Sequence, residues 1–156
     1  MATLKQLNKP ALHALCAAFI TERIAAAEVA MHTAQESANS ETKSSAGDKY
    51  ETGRAMAQEE RNRNASQLRQ ARQLLADLTR ISPDLPCDTV RPGALVETSL
   101  GWFYLSISAG RLAPKDDEPE VFAVSVVAPV AVAMLGRRAG EEVRFNGKAV
   151  RVLAVS

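Results

Sequence analysis

Four carboxylates and two lysines crowd one polar stretch of the chain: Glu36, Glu41, Asp48 and Glu51, with Lys43 and Lys49. Carboxylate oxygens suit a hard cation, since Mg²⁺ takes one or two of them and keeps several waters. The same residues also suit plainer work, because Ser45 and Asp48 can cap a helix start while the glutamates stay solvated. The two histidines, His13 and His32, fall in one helical run about 28 Å apart at helical rise, too far to share a metal within one chain. Cys16, one turn from His13, reads as a small buried cysteine of a helical seam beside a surface histidine. Cys16 and Cys87 form no CxxC pattern, so neither a zinc site nor a disulfide framework is expected, and a reducing compartment fits. No glycine-rich phosphate loop, GxSxG elbow or HExxH helix occurs. The expectation is a protein that is not an enzyme in its own right, with no cofactor and no stably bound metal.

The elements that carry these residues have two different periods. From about 9 to 81 the chain reads as helix. Asn8 can cap the start, and Pro10 sits where an early helical position tolerates it. Ile20, Ile24, Ala27, Met31, Ala34 and Ala38 follow in steps of four and three, beside Leu12, Cys16 and Phe19 one stripe over. A returning stripe carries Tyr50, Ala57, Asn64, Leu68, Ala71, Leu75 and Leu78. SANSETKSSAGD between them is turn chemistry. Two helices of ~30 residues would each reach ~45 Å, too long to wrap a core of their own. The economical arrangement is an antiparallel coiled-coil hairpin over 1–82, with a polar tip near 39–49 and Ile24 and Met31 facing Leu68 or its neighbours. A helical bundle or dimer could use the same heptads.

After Ile81 the character changes. SPDLPCDTVRPG holds three prolines and reads as a linker into a strand. Short β-like runs follow at Ala94–Thr98, Trp102–Ser108, Val121–Val127, Glu142–Phe145 and Ala149–Val155. Turns at Gly101, Gly110, KDDEPE and Asn146-Gly147 separate them, the last being a strong hairpin signal. One short helix runs from Pro129 to Gly136. Arg137 and Arg138 follow it, where bases complement the helix dipole. Trp102, Phe103 and Tyr104 fit a core strand with neighbouring surface, or a partner-binding patch.

Bulk properties bound the partners. The 156 residues suit one medium domain or two small ones, and at 46% hydrophobic but 4% aromatic the core must be aliphatic and alanine-rich. Nineteen Lys plus Arg against 18 Asp plus Glu leave a formal charge of +1, which argues against broad coating of nucleic acid or membrane and favours a protein partner. MATLKQLNKP lacks the apolar run of a signal peptide, and no stretch approaches the ~20 apolar residues of a membrane span. A soluble, cytoplasmic protein is expected.

Residues 128–143, APVAVAMLGRRAGEEV, directly follow the strand FAVSVV. This segment resembles the signature of the Gre family of transcript-cleavage factors: Ser-Pro-Ile/Leu, a short helix ending in Leu-Leu-Gly-Lys, then Gly-Asp/Glu-x-Val. Pro129, Leu135, Gly136, Arg137, Gly140, Glu141 and Val143 fall on matching places, and Ala128 replaces the usual Ser. FNGKAVRVLAV resembles the family's final hairpin and VRPGALVE its first strand, so order and spacing agree across 90–156. The resemblance implies an α+β protein, its hairpin followed by a small β-rich FKBP-like domain over 83–156 without isomerase activity. It implies docking at the rim of the secondary channel of bacterial RNA polymerase, the coiled coil entering that channel. There two acidic tip residues help hold the second catalytic Mg²⁺, and the polymerase hydrolyses its own backtracked RNA.

Carried onto this chain, the resemblance makes Glu41 and Asp48 the candidates for contact with the polymerase's Mg²⁺, with Glu51 behind them. Arg137 and Arg138 become the candidates for docking. The partner would be RNA polymerase, met by a monomer in indirect contact with the RNA 3′ end and with no membrane. The tip departs from the family pattern Asp-Leu-x-Glu-Asn-x-Glu/Asp-Tyr. With Tyr50 on the motif's tyrosine, Asp48 lies near its acidic positions, Glu41 needs an insertion of two residues, and Ser44 and Ser45 stand where a second acid would be. Two further readings stay open: a polymerase inhibitor without cleavage-stimulating activity, and a Gre-fold coiled-coil adaptor for another protein.

Overall fold

The computed structural model describes residues 7–42, 47–112 and 119–156, without side chains between 41 and 50. Two long helices come first, α1 over Lys9–Thr42 and α2 over Gly47–Thr79. Asn8 caps α1 as expected: its carbonyl accepts from the Leu12 amide at 3.0 Å and its Oδ1 from the Ala11 amide at 3.4 Å. Among the described residues six strands and one short helix follow: β1 Leu95–Thr98, β2 Gly101–Ser106, β3 Gly110–Leu112, β4 Val121–Ser125, α3 Pro129–Met134, β5 Glu142–Phe145 and β6 Lys148–Val155. The architecture is α+β, a helical hairpin and a mixed six-stranded sheet.

Packing divides the chain differently from element type. One compact unit is Ile20–Leu75; the other joins Met1–Phe19 to Ala76–Ser156. In the first, α1 and α2 run antiparallel, and the Glu28 carboxylate meets the Arg72 guanidinium at 3.4 Å. The buried positions are Ile20, Ala27 and Ala34 on α1 and Ala57, Leu68 and Ala71 on α2. Ile24 and Met31, expected at the centre of the seam, are half-buried. The α1 seam is therefore deepest at every seventh residue. An alanine methyl contributes only about 0.8 kcal/mol on burial. The exposed Glu28–Arg72 pair adds about 0.2–1 kcal/mol. Helix propensity must supply the rest, and α2 is dense in Ala, Glu, Arg and Gln, all strong helix formers.

In the second unit the sheet order is β3-β4-β2-β1-β6-β5, with β2 and β4 parallel and every other pair antiparallel. Side chains alternate across it. Val96, Leu105, Val143, Val150 and Val152 turn toward α3, where Ala131 and Met134 are fully buried. Tyr104 and Ser106 on β2 turn the other way, toward His13 and Cys16 in the first turns of α1. Both faces of β2 are thus covered, which is why Tyr-Leu-Ser, near-continuous in burial, reads there without a clean polar face.

The strands expected at Glu142–Phe145 and Ala149–Val155 are present as the β5–β6 hairpin, closed at Asn146-Gly147 with both residues at positive φ. The sequence-based runs at Trp102–Ser108 and Val121–Val127 end two residues early, because Ile107 and Val126 belong to loops whose apolar side chains still pack. One strand is unexpected. Gly110, read as a turn, opens β3, a three-residue edge strand pairing Gly110 with Ala123 and Leu112 with Val121. So short a run carries no period of its own.

Candidate functional site

The acidic candidates lie at the facing ends of the two long helices. Glu41 is in the last turn of α1, and Asp48 and Glu51 are in the first turns of α2. The side chains of Glu41, Asp48 and Lys49, and the whole of Lys43, Ser44 and Ser45, lie outside the described residues. Glu51 is exposed. Glu36 is half a seam away and pairs with His32 on its own helix at 3.2 Å, so it faces along α1. Among the described residues no three His, Cys, Asp or Glu side chains group to hold a metal.

The docking candidates sit on the turn that closes α3. α3 starts with Pro129 and ends at Leu135, whose amide donates to the Ala131 carbonyl at 3.0 Å. Gly136 then takes φ +78°, a left-handed angle that closes the helix and that a side chain resists. Its amide donates to the Val90 carbonyl at 2.8 Å, and the Val90 amide donates to the Arg137 carbonyl at 2.8 Å. Arg138 pairs with Thr89 across the same junction. Arg137 and Arg138 are both exposed, and the Arg137 guanidinium reaches Glu141 at 3.4 Å.

This pairing brings up a residue that the sequence reading missed. Arg91, on the segment joined to 136–138, is exposed too, so three arginines share one junction. Beside them the outward side of α3 shows Val132 at 55% and Leu135 at 42% exposure. Apolar side chains left in water next to arginines are the composition of a protein-docking patch. VRPG offered no sign of it, because no spacing in the sequence pairs that segment with 136–138.

The histidine–cysteine pair of α1 is resolved by the sheet. His13 is half-buried, not a free surface residue, and its Nδ1 lies 2.9 Å from Tyr104 Oη. Desolvation lowers the His13 pKa, with Asp84 pulling it back up. Tyr104 is completely buried, and the same loss of water drives its phenol well above the usual range. Cys16 faces Ser106, 3.8 Å away, and burial pushes its thiol up. These groups have the marks of a packed interior junction.

No family model and no curated protein matches the chain. Among solved structures it is similar to the GreA factor homolog 1 (Gfh1) protein of Thermus thermophilus, at 18% identity over 88% of this chain and 92% of that one, with a TM-score of 0.34. It is also similar to a structure of the transcription factor Gfh1, at 19% identity over 87% and 90% with a TM-score of 0.32. Gfh1 of Thermus aquaticus stands at 18%, 87%, 90% and 0.32. A global match this weak assigns neither fold nor function. The fold above stands on its own contacts.

Proposed function

We propose that this protein is a regulator of transcription elongation that binds RNA polymerase and inserts its helical hairpin into the secondary channel. The observation that carries the reading is the segment 128–143. Its Gre-like residues occupy the local structures that such a motif needs: Pro129 opens α3, Gly136 ends it, Arg137 is exposed, the Gly140 amide bonds the Val152 carbonyl at 2.7 Å, and Val143 is buried in β5. A long antiparallel hairpin precedes it, as the resemblance requires. Docking falls to the junction of Arg91, Arg137 and Arg138 with the outward side of α3, against an acidic, partly apolar surface of the polymerase.

A second reading has its own observation. Ser44 and Ser45 stand where the resemblance would put the second acid, which favours a regulator that occupies the channel with little or no stimulation of cleavage.

The docking claim is tested by charge reversal. Arg137→Glu with Arg138→Glu should weaken binding to core polymerase by roughly tenfold or more, and should flatten the dependence of affinity on salt. The circular dichroism spectrum should not change, since both side chains are exposed. Unchanged affinity would place the docking surface elsewhere on the sheet unit.

A further inference from the structure

Among the described residues β5 is an edge strand of the sheet, and its backbone is directed outward in a defined pattern. On β6 the Arg151 carbonyl accepts from the Ser99 amide at 3.0 Å and the Arg151 amide donates to Ser99 Oγ at 3.0 Å, so both groups turn away from β5. Val152 turns the other way, its amide donating to the Glu141 carbonyl at 2.9 Å and its carbonyl accepting from the Gly140 amide at 2.7 Å. Alternation along the antiparallel ladder then gives Val143 and Phe145 the bonds to β6. It leaves the amides and carbonyls of Glu142 and Arg144 pointing out from the edge. Such a row of groups is a template for another strand.

The side chains alternate in the same way. Val143 is buried with Val150 and Val152 on the α3 side, whereas Glu142 and Arg144 are exposed on the opposite face. Neither charged group takes part in an ion pair among the described residues. A second copy of β5 can add to this edge only where outward-directed residues oppose outward-directed residues. About a two-fold axis, antiparallel pairing then sets Glu142 against Glu142, Arg144 against Arg144, or Glu142 against Arg144. The first two registers put like charges directly opposite, which is destabilising. The last pairs opposite charges on both sides of the axis and sets the two Val143 side chains together on the α3 face.

We propose that β5 is a self-association edge, at which two copies of this chain join antiparallel with Glu142 of each opposite Arg144 of the other. Each Glu142–Arg144 pair exchanges both backbone bonds and adds a carboxylate–guanidinium contact. The interface is isologous, the same patch meeting itself, and it closes after two copies. Arg151, opposite Glu142 within the chain, borders the pair, so base and acid alternate across the junction. The strand is only four residues long, so association depends on concentration, and the dilute chain is the monomer expected from its sequence. This edge is separate from Arg137 and Arg138, and the pairing does not depend on the polymerase reading.

The test is sedimentation equilibrium of this protein at low salt as its concentration is raised to about 1 mM. Wild type should pass from monomer to dimer and no further, and added salt should shift the balance back toward monomer. Arg144→Glu and Glu142→Arg, both at exposed positions, should each weaken self-association about tenfold or more, because the symmetry alters two pairs at once. The two variants mixed should recover it, since each presents the charge that the other lacks. The double variant Glu142→Arg with Arg144→Glu should recover it as well. A protein that stays monomeric throughout, association indifferent to both reversals, or a mixture and double variant no tighter than the single variants would overturn the proposal.

Discussion

If the hairpin tip stimulates cleavage, backtracked elongation complexes given saturating wild-type protein release short RNA, and Asp48→Asn should cut that release about tenfold, a loss of ~1.4 kcal/mol in barrier lowering. The argument rests on charge rather than shape. Asparagine keeps the size of aspartate and most of its capping capacity, so helix α2 should start as before. It removes the negative charge by which a carboxylate beside a weakly held cation raises that cation's occupancy. Glu41→Gln should act in the same direction from the other helix, and Glu51→Gln should act less. If the wild-type protein releases no RNA but slows elongation, the inhibitor reading replaces the cleavage reading. If it does neither at saturation, the adaptor reading is the better one.

The largest expected effect on stability is at Tyr104. Its ring is completely buried between the sheet and the first turns of α1, so Tyr104→Ala should cost about 3–5 kcal/mol. That is a large share of the ~5–15 kcal/mol that holds a typical domain. Tyr104→Phe keeps the ring and loses only the bond to His13 Nδ1, for about 1–2 kcal/mol. Urea titration followed by the single tryptophan, Trp102 on β2, reads both.

The same junction sets a pH dependence. The His13 pKa is lowered in the folded protein, chiefly by desolvation, so the unfolded chain takes up the proton first as pH falls. The His13 contribution is therefore intact above the ordinary histidine value of 6.5 and is lost progressively as pH falls from 6.5 toward the lower folded value. His13→Gln should remove that step. A stability curve that stays flat below 6.5 in the wild type would show that His13 keeps its water.

Much of this architecture was legible because it rests on local rules. Asn8 as a cap, the two long helices, the Asn146-Gly147 hairpin and the α3 stop at Gly136 each follow from a few adjacent residues. The seam was legible in period but not in depth. Whether Ile24 or Ile20 lies deeper depends on the rotation of one helix against its neighbour, and alanine-rich stripes constrain that rotation weakly. The Tyr104–His13 contact spans 91 residues and the Lys9–Cys87 contact 78, and no spacing announces either. Arg91 joined the candidate docking patch only because the 89–91 backbone pairs with 136–138. Glu41, Asp48 and Glu51 were singled out through a resemblance, and the helix bounds put Glu41 in the last turn of α1 and Asp48 and Glu51 in the first turns of α2.

The most direct measurement is equilibrium binding of this protein to core RNA polymerase, by anisotropy of a label on an exposed helix residue such as Gln58. The account predicts a saturable one-to-one complex that weakens as salt rises and is disrupted by charge reversal at Arg137 and Arg138. An anisotropy that stays at the free-protein value up to saturating polymerase would contradict it.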